Sequence, residues 1–267
     1  MMINNSEVML EEMNAIQVRK NVNTKTVAIL VLGACENHGD HMPFGSDFIV
    51  PMELAKRVAS KLQNTMILPA IQYGASSHHI DFQMTISLDS NTLVKVIEDL
   101  FKSLIKNRIN RILVINGHDG NIPAIELAAR ETKYKYPEVV IVCLEAWWVL
   151  VGEITKDLFE VWNGLGHGGE AETSAMLAVR SDLVRMDNAP KEIIPTLPDK
   201  VRIYFKFNEL TNTGATGAPM KATIQKGKIA LNALEDVLLS FLNKMEKNEW
   251  KYGLSLQSND RTPIKDS

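Results

Sequence analysis

The chain has 267 residues, of which 45% are hydrophobic and 23% charged, and its formal net charge is −3. These values are ordinary for a globular protein, and without a basic block they argue against nucleic acid or an anionic membrane as a partner. Two cysteines are too few for a disulfide framework. The N-terminal stretch lacks the basic region of a secretory signal, and no apolar run approaches the roughly 20 residues of a membrane helix. We therefore expect a cytoplasmic protein.

Strand-like and helix-like segments alternate through the first half of the chain, after a polar stretch over 1–24 that predicts no regular element. Each predicted strand is a continuous apolar run, which is typical of strands buried on both faces. Each predicted helix has apolar residues at helical spacing; Asn91 is expected to cap one helix, and Pro123 suits the first position of another. The predicted strands are 26–34, 65–71, 112–115 and 139–144, and the predicted helices are 48–62, 91–106 and about 123–134.

This alternation predicts an α/β fold in which helices cover both faces of a parallel sheet. In such sheets, ligands bind beyond the carboxyl ends of the strands. Two polar runs fall at those ends, ENHGDHMPFGSD after the first strand and NGHDGN after the third. We therefore expect the functional site at this edge of the sheet.

The second half of the chain is less regular. It shows no internal repeat and no linker, so we expect a single domain over 1–267 with its core at about 25–250. The predicted elements are an aromatic-rich helix over 145–164, a helix from about Glu170, loops with a short hairpin over 183–225, an amphipathic helix over 226–247 and a disordered tail from about Leu254.

The polar runs carry residues that suit a metal site. Glu36, His38 and Asp47 follow the first strand, and His118 follows the third. Carboxylates combined with imidazoles suit Zn²⁺, Mn²⁺ or Fe²⁺. If Asp47 bridges, two ions roughly 3.5–4 Å apart could share a water. A single histidine after a strand is more often structural, so the prediction depends on the joint occurrence of these residues.

A third polar run, GHGGEAETS, adds His167 and two glutamates at a helix start. Because Glu170 and Glu172 point in different directions on a helix, we expect Glu172 to face the site and Glu170 to interact with the helix dipole. Helix capping by both is the structural alternative. The pair Trp147–Trp148 also has two interpretations: the side chains could pack in the core or contact a substrate.

Five blocks of this sequence resemble the creatininase (creatinine amidohydrolase) family, in the family's order and across most of residues 27–240. ENHGDHMPFGSD resembles the signature E-Q-H-G-x-H-L-P-x-x-T-D, and INGHDGN is similar to N-G-H-G-G-N. The other blocks are YGASSHHIDFQMTISL, GHGGEAETS and TGATGAPMKATIQKG. The resemblance implies a three-layer α/β/α sandwich with a mostly parallel central sheet. It also implies two divalent metal ions per subunit, a small-molecule substrate and a homo-oligomer, often a hexamer.

The resemblance also implies a ligand set. Creatininase has a glutamate two residues after the NGH histidine, where this chain has Gly120, so Glu172 is expected to be the missing ligand. The implied ligands are Glu36, Asp47 and His118 for one ion, and His38, Asp47 and Glu172 for the other.

The same resemblance implies catalytic roles for His167, as proton donor to the leaving nitrogen, and for Glu172. Metal-activated water would attack the carbonyl carbon of an amide. The residues expected to line the substrate pocket are Ser77, His79, Asn116 and Trp147.

Departures from the family pattern bear on the substrate. Asn37 stands where glutamine is common, Gln83 and Met84 replace a Pro-Gly pair, and Gly120 lacks the creatininase glutamate. Creatinine is therefore disfavoured, and we expect hydrolysis of a non-peptide C–N amide bond in a formamide or a cyclic amide. A formamide-pyrimidine nucleotide deformylase of flavin and deazaflavin synthesis is the favoured single activity. Creatinine hydrolysis itself, cleavage of a peptide end and a non-catalytic ligand-binding role are the alternatives.

Overall fold

A parallel sheet of four strands lies at the centre of the fold, in a computed structural model that describes residues 8–191 and 203–253. The strands are β1 (Val27–Leu32), β2 (Thr65–Ile67), β3 (Arg111–Asn116) and β4 (Val140–Leu144). Their order is β2–β1–β3–β4, and all neighbours run parallel. The central strand β1 is buried along its whole length, as its apolar sequence predicts.

Helices cover both faces of this sheet. The described residues form α1 (Ala15–Asn21), α2 (Ser46–Lys61), α3 (Ser90–Lys106), α4 (Ile122–Lys135), α5 (Trp147–Ile154), α6 (Glu170–Arg180) and α7 (Ile224–Lys247). Residues of α2, α5, α6 and α7 share one hydrophobic core with the sheet, and residues of α3 and α4 share the other. The predicted three-layer α/β/α architecture is confirmed.

Alternate residues of β1 belong to the two cores. Ile29 and Val31 pack on the side of α2, while Leu30 and Leu32 pack on the side of α3 and α4. Each buried side chain of this kind contributes about 1.5–3 kcal/mol relative to an exposed one. Because the strands are packed on both faces, the loops at their carboxyl ends start from well-fixed positions.

The N-terminal stretch contains a helix that the sequence analysis missed. The side chain of Asn14 accepts hydrogen bonds from the N–H groups of Ile16 and Gln17, and the Gln17 side chain accepts one from the Asn14 N–H. This reciprocal pair is a capping box, which satisfies donors that the first turn of a helix leaves free. The prediction of no regular element over 1–24 was wrong at α1.

Two other boundaries differ from prediction. Helix α3 is capped by Asp89, whose carboxylate accepts from the N–H of Asn91, so Asn91 itself lies inside the helix. Strand β2 ends at Ile67 instead of continuing to residue 71. The N–H of Leu68 donates to Ile29 of β1, but the next donor to β1 is Ile71 instead of Ala70, so the alternation is broken and Ile71 pairs with Leu32 only as an isolated bridge.

The second half is more irregular than expected. The helix predicted over 145–164 is limited to α5, and Asn163 has a left-handed φ of 54° that no helix continues through. Within 183–225 the described residues form short 3-10 turns and no strand, so they contain no hairpin. Residues 192–202 and the predicted tail from Leu254 lie outside the described residues. In the described ranges no helix combines the length and apolarity of a membrane span.

Candidate metal centre

Five polar side chains converge beyond the carboxyl ends of β1 and β3. Glu36 and His38 lie in the loop after β1, and His118 follows β3. Asp47 lies in the first turn of α2, which begins two residues earlier than predicted, and Glu172 lies in the first turn of α6. Glu172 is half-buried, and the other four are buried.

The glycine of the NGH motif allows α2 to approach the end of β3. A Cβ atom at Gly117 would overlap the backbone carbonyl of Asp47 and lie 2.7 Å from Cγ of Pro51. Because only glycine fits here, the first turn of α2 reaches His118. An acidic residue in the first turn is also favoured by the helix dipole.

The Asp47 carboxylate lies between two histidines. Its Oδ1 is 2.8 Å from His38 Nε2, and its Oδ2 is 3.3 Å from His118 Nδ1. The same His118 nitrogen is 3.1 Å from Glu36 Oε1. Asp47 therefore belongs to both halves of the cluster, as a bridging carboxylate does.

Among the described residues, three overlapping sets of three residues could each hold a metal ion. In each set every residue offers one ligand atom, and these atoms lie within 4.8 Å of one another. Asp47 is common to the first two of them. The sets are Glu36, Asp47 and His118; His38, Asp47 and Glu172; and Glu36, His38 and His167.

Backbone carbonyls anchor the outer nitrogens of the two histidines beside Asp47. His38 Nδ1 is 3.1 Å from the carbonyl oxygen of Glu36, and His118 Nε2 is 3.2 Å from that of Ala75. A carbonyl oxygen only accepts, so these nitrogens are the donors, which fixes the tautomer that each ring has when it is neutral. In that form the inner nitrogens would present lone pairs to a cation bound between them and the carboxylates, which is the usual arrangement of metal-bound histidines.

Buried oxygens at the centre lack well-aligned hydrogen-bond donors. They are both carboxylate oxygens of Glu36 and Oδ2 of Asp47. Glu36 is fully buried, and an uncompensated carboxylate in such a place is costly. A divalent cation would compensate these oxygens, so the residues present fit a metal centre.

The electrostatics of the cluster indicate the same preference for positive charge. Burial disfavours the charged ring of His38, but the charge and hydrogen bond of Asp47 outweigh burial and raise the pKa of His38 to about 10. Burial raises the pKa of the Glu172 carboxyl to about 7, against the opposing effect of His38. Both groups hold protons more strongly than usual at positions where a cation could replace those protons.

His167 lies beside the cluster, with its ring 4.2 Å from that of His38 and 4.1 Å from that of His79. Its Nε2 donates to the carbonyl oxygen of Asn37 at 2.6 Å, and its Nδ1 is 3.7 Å from Glu36 Oε1. Burial, together with the neighbouring His38, lowers the pKa of His167 to about 4. The ring is therefore neutral near pH 7, with its lone pair on Nδ1.

A cavity of about 390 Å³ opens over the cluster. Its lining includes four of the converging side chains, Glu36, Asp47, His118 and Glu172, together with His167 and His79. Trp148, Trp162, Phe205 and Phe207 form an aromatic wall, and other lining residues include His78, Asp119 and Thr216.

Of the predicted pocket residues, His79 lines this cavity, whereas Ser77, Asn116 and Trp147 do not. Asn116 braces the loop after β3, because its amide donates to the carbonyl of His118 at 2.7 Å. Trp147 is buried in the core, and its neighbour Trp148 reaches the cavity. Ser77 is exposed.

Sequence reasoning missed much of the aromatic wall. Trp162 was read only as part of a long helix, and Phe205 and Phe207 follow a segment without periodicity. The pair F-K-F, in which a charged residue separates two aromatic ones, was the one local signal.

Glu170 differs from its predicted role at the helix dipole. Its fully buried carboxylate accepts from the N–H groups of Glu160 and Val161 and from Lys226 Nζ at 2.5 Å. It therefore tethers the loop before Trp162 to helix α7. His41 also has a structural position, with its Nε2 2.9 Å from Thr173 Oγ1.

The structure explains why no side chain occupies position 120. A Cβ atom there would overlap the carbonyl oxygen of Ala75 and lie 2.5 Å from His118 Nε2. Those atoms form the hydrogen bond that anchors His118. The glutamate of creatininase therefore has no room at Gly120 in this backbone.

A three-layer α/β/α domain with buried histidines and carboxylates at its strand ends defines an α/β protein with a candidate divalent-metal centre. A comparison with protein families specifies the class further, because residues 11–242 match the creatininase model, described as creatinine amidohydrolase. The chain belongs to the creatininase family, and it is a hydrolase acting on carbon–nitrogen bonds.

Relatives share most of the chain. Creatinine amidohydrolase of Pseudomonas putida is 32% identical over 220 residues, 77% of this chain and 84% of that protein. The mycofactocin precursor peptide peptidase of Mycobacterium ulcerans (strain Agy99) is 27% identical over 75% of this chain and 78% of that protein. A solved structure described as creatininase Mn superimposes with a TM-score of 0.77 and 27% identity, covering 90% of this chain and 98% of that one.

Similarity to a deformylase is partial. The 2-amino-5-formylamino-6-ribosylaminopyrimidin-4(3H)-one 5'-monophosphate deformylase of Methanobrevibacter ruminantium (strain ATCC 35063) is 31% identical over 109 residues. This match covers 40% of this chain and 45% of that protein.

Proposed function

We propose that this protein is a metal-dependent amidohydrolase that cleaves a non-peptide C–N amide bond of a small molecule with metal-activated water. One observation carries the proposal. His38 and His118 are anchored through their outer nitrogens to backbone carbonyls, and their inner nitrogens face opposite oxygens of Asp47. A carboxylate that faces two histidines anchored in this way can serve both ions of a two-metal site.

The cluster would hold two divalent ions per chain. Bound ions of this kind lower the pKa of coordinated water and polarise a carbonyl oxygen. Imidazole and carboxylate ligands suit Zn²⁺, Mn²⁺ and Fe²⁺ alike. The proposed ligands are Glu36, Asp47 and His118 for one ion, and His38, Asp47 and Glu172 for the other.

His167 would carry the proton. In its neutral form the ring proton stays on Nε2, bonded to Asn37, and Nδ1 is free to accept a proton on the Glu36 side. A proton taken there can pass to the leaving nitrogen of the amide. Glu172 is fixed for its part by a hydrogen bond of 2.7 Å from the Gly168 N–H to its Oε2.

The cavity favours a small substrate without phosphate. Its volume of about 390 Å³ suits a small molecule, and its wall is aromatic. The lining contributed by the described residues contains no lysine or arginine to pair with a phosphate group. We therefore favour a cyclic amide or a simple formamide over a formamide-pyrimidine nucleotide.

An assay of the metal-loaded chain tests this proposal. Chelated protein is reloaded with Zn²⁺, Mn²⁺ or Fe²⁺ and offered creatinine, a second cyclic amide, N-formyl compounds with and without phosphate, and a short peptide. Ring opening or formate release from one of the small amides, abolished by chelation, is the expected result. Cleavage of the peptide alone would replace the proposal with peptide-end hydrolysis.

Two further properties are proposed from the family likeness. We expect a cytoplasmic homo-oligomer, and a hexamer in particular. Size-exclusion chromatography with light scattering measures the assembly directly.

A further inference from the structure

Two glycine-rich segments meet at His167. The backbone N–H of His167 donates to Thr216 Oγ1 at 2.8 Å, and the Thr216 N–H donates to the His167 carbonyl at 2.8 Å. The threonine hydroxyl is therefore one of two contacts that fix the His167 backbone to this segment. Thr216 also lines the cavity.

The His167 ring depends on that backbone position. Its Nε2 reaches the Asn37 carbonyl at 2.6 Å, a short bond that tolerates little displacement. Asn37 is fixed in turn, because its N–H donates to Thr85 Oγ1 at 3.2 Å. The ring also lies between His38 and His79, so a shift of the His167 backbone would be transmitted to its Nδ1.

We propose that Thr216 is a positioning residue for His167, whose hydroxyl sets the backbone so that Nε2 bonds Asn37 and Nδ1 faces the cavity. This inference rests on the proposed role of His167 as proton carrier. Without the hydroxyl, the His167 N–H loses its acceptor, and the backbone can move toward another partner. Since proton transfer requires hydrogen-bond distance, even a small displacement lowers the rate.

Thr216→Val and Thr216→Ser form a matched pair, because valine keeps the shape without the hydroxyl and serine keeps the hydroxyl. The first readout is the ring of His167 in ¹⁵N-histidine-labelled, zinc-loaded protein, and it needs no substrate. We expect the wild type and Thr216→Ser to show the Nε2–H tautomer with a proton protected from exchange. Thr216→Val should lose that protection. An unchanged His167 signal in Thr216→Val would overturn the inference, and Thr216→Ala replaces it if the valine variant does not fold.

Kinetic measurements distinguish a positioning role of Thr216 from a merely structural one. With the amide found active in the panel, Thr216→Val should lower kcat by about tenfold or more with little change in KM, and Thr216→Ser should restore it. In a His167→Ala background, Thr216→Val should cost nothing further. An equal loss in both backgrounds would mean that Thr216 does not act through His167. Failure of every substrate would refute the proposed function, while the ring signal would still decide the role of Thr216.

Discussion

His38 Nε2 lies 2.8 Å from Asp47 Oδ1, while the other ring nitrogen of His38 is held by the backbone carbonyl of Glu36. The neutral ring would face the carboxylate with a lone pair, which is repulsive unless a cation lies between them. A proton fills that place in the metal-free chain, and a divalent ion can fill it in the loaded chain. This competition leads to a pH-dependent prediction.

Metal-free protein should lose stability as the pH rises from about 6.5 to 10. The pKa of His38 is raised from 6.5 to about 10 in the folded chain, so the folded state binds more protons than the unfolded state in this window. Its contribution is complete below pH 6.5 and is lost as the pH passes 10. The pKa of His118 is raised as well, by Glu36 and Asp47, so this ring contributes a loss of the same sign. Thermal unfolding of chelated protein across this range measures the slope, and His38→Gln should reduce it to the part that His118 contributes. An equal slope in His38→Gln would assign the loss to other groups.

Glu170→Ala should destabilise the fold without emptying the metal centre. The change leaves Lys226 without its buried partner and two backbone donors without an acceptor. Breaking a buried ion pair in this way costs about 3–5 kcal/mol. Urea unfolding measures the loss, with the half-exposed Glu160→Gln as control, for which a much smaller loss is expected because exposed ion pairs contribute little. A loss equally small for Glu170→Ala would contradict the structural role.

Gly120→Ala should weaken metal binding at His118. The added methyl group would overlap the Ala75 carbonyl, which anchors the outer nitrogen of His118. We expect a stability loss of about 1–3 kcal/mol and a lower metal content. Isothermal titration with Zn²⁺ measures the affinity, and Ala129→Gly, on α4 outside the cluster, controls for a general loss of stability. Wild-type affinity in Gly120→Ala would show that this loop has room to adjust.

The sequence was informative where a local pattern determines the structure. Continuous apolar runs located all four strands, and the rule that ligands bind at strand ends located the site. The polar runs after the first and third strands predicted Glu36, His38, Asp47 and His118 as one set of metal ligands. The capping box at Asn14 was equally readable and was overlooked.

Other features depend on contacts that no local pattern records. The buried tether of Glu170 requires Lys226, which is 56 positions away. The hydrogen bond from the His167 N–H to the Thr216 hydroxyl joins two loops whose residues are 49 positions apart. Which of the adjacent residues Trp147 and Trp148 reaches the cavity depends on where α5 begins, and boundaries are the least certain part of a helix prediction.

Metal stoichiometry tests the central claim most directly. Wild-type protein, Asp47→Ala and the exposed control Asp99→Ala are loaded with Zn²⁺, freed of excess metal and analysed by mass spectrometry of the element. If Asp47 bridges two ions, wild type and control should bind two zinc ions per chain, and Asp47→Ala should lose both. Two ions retained by Asp47→Ala, or none bound by the wild type, would contradict the account.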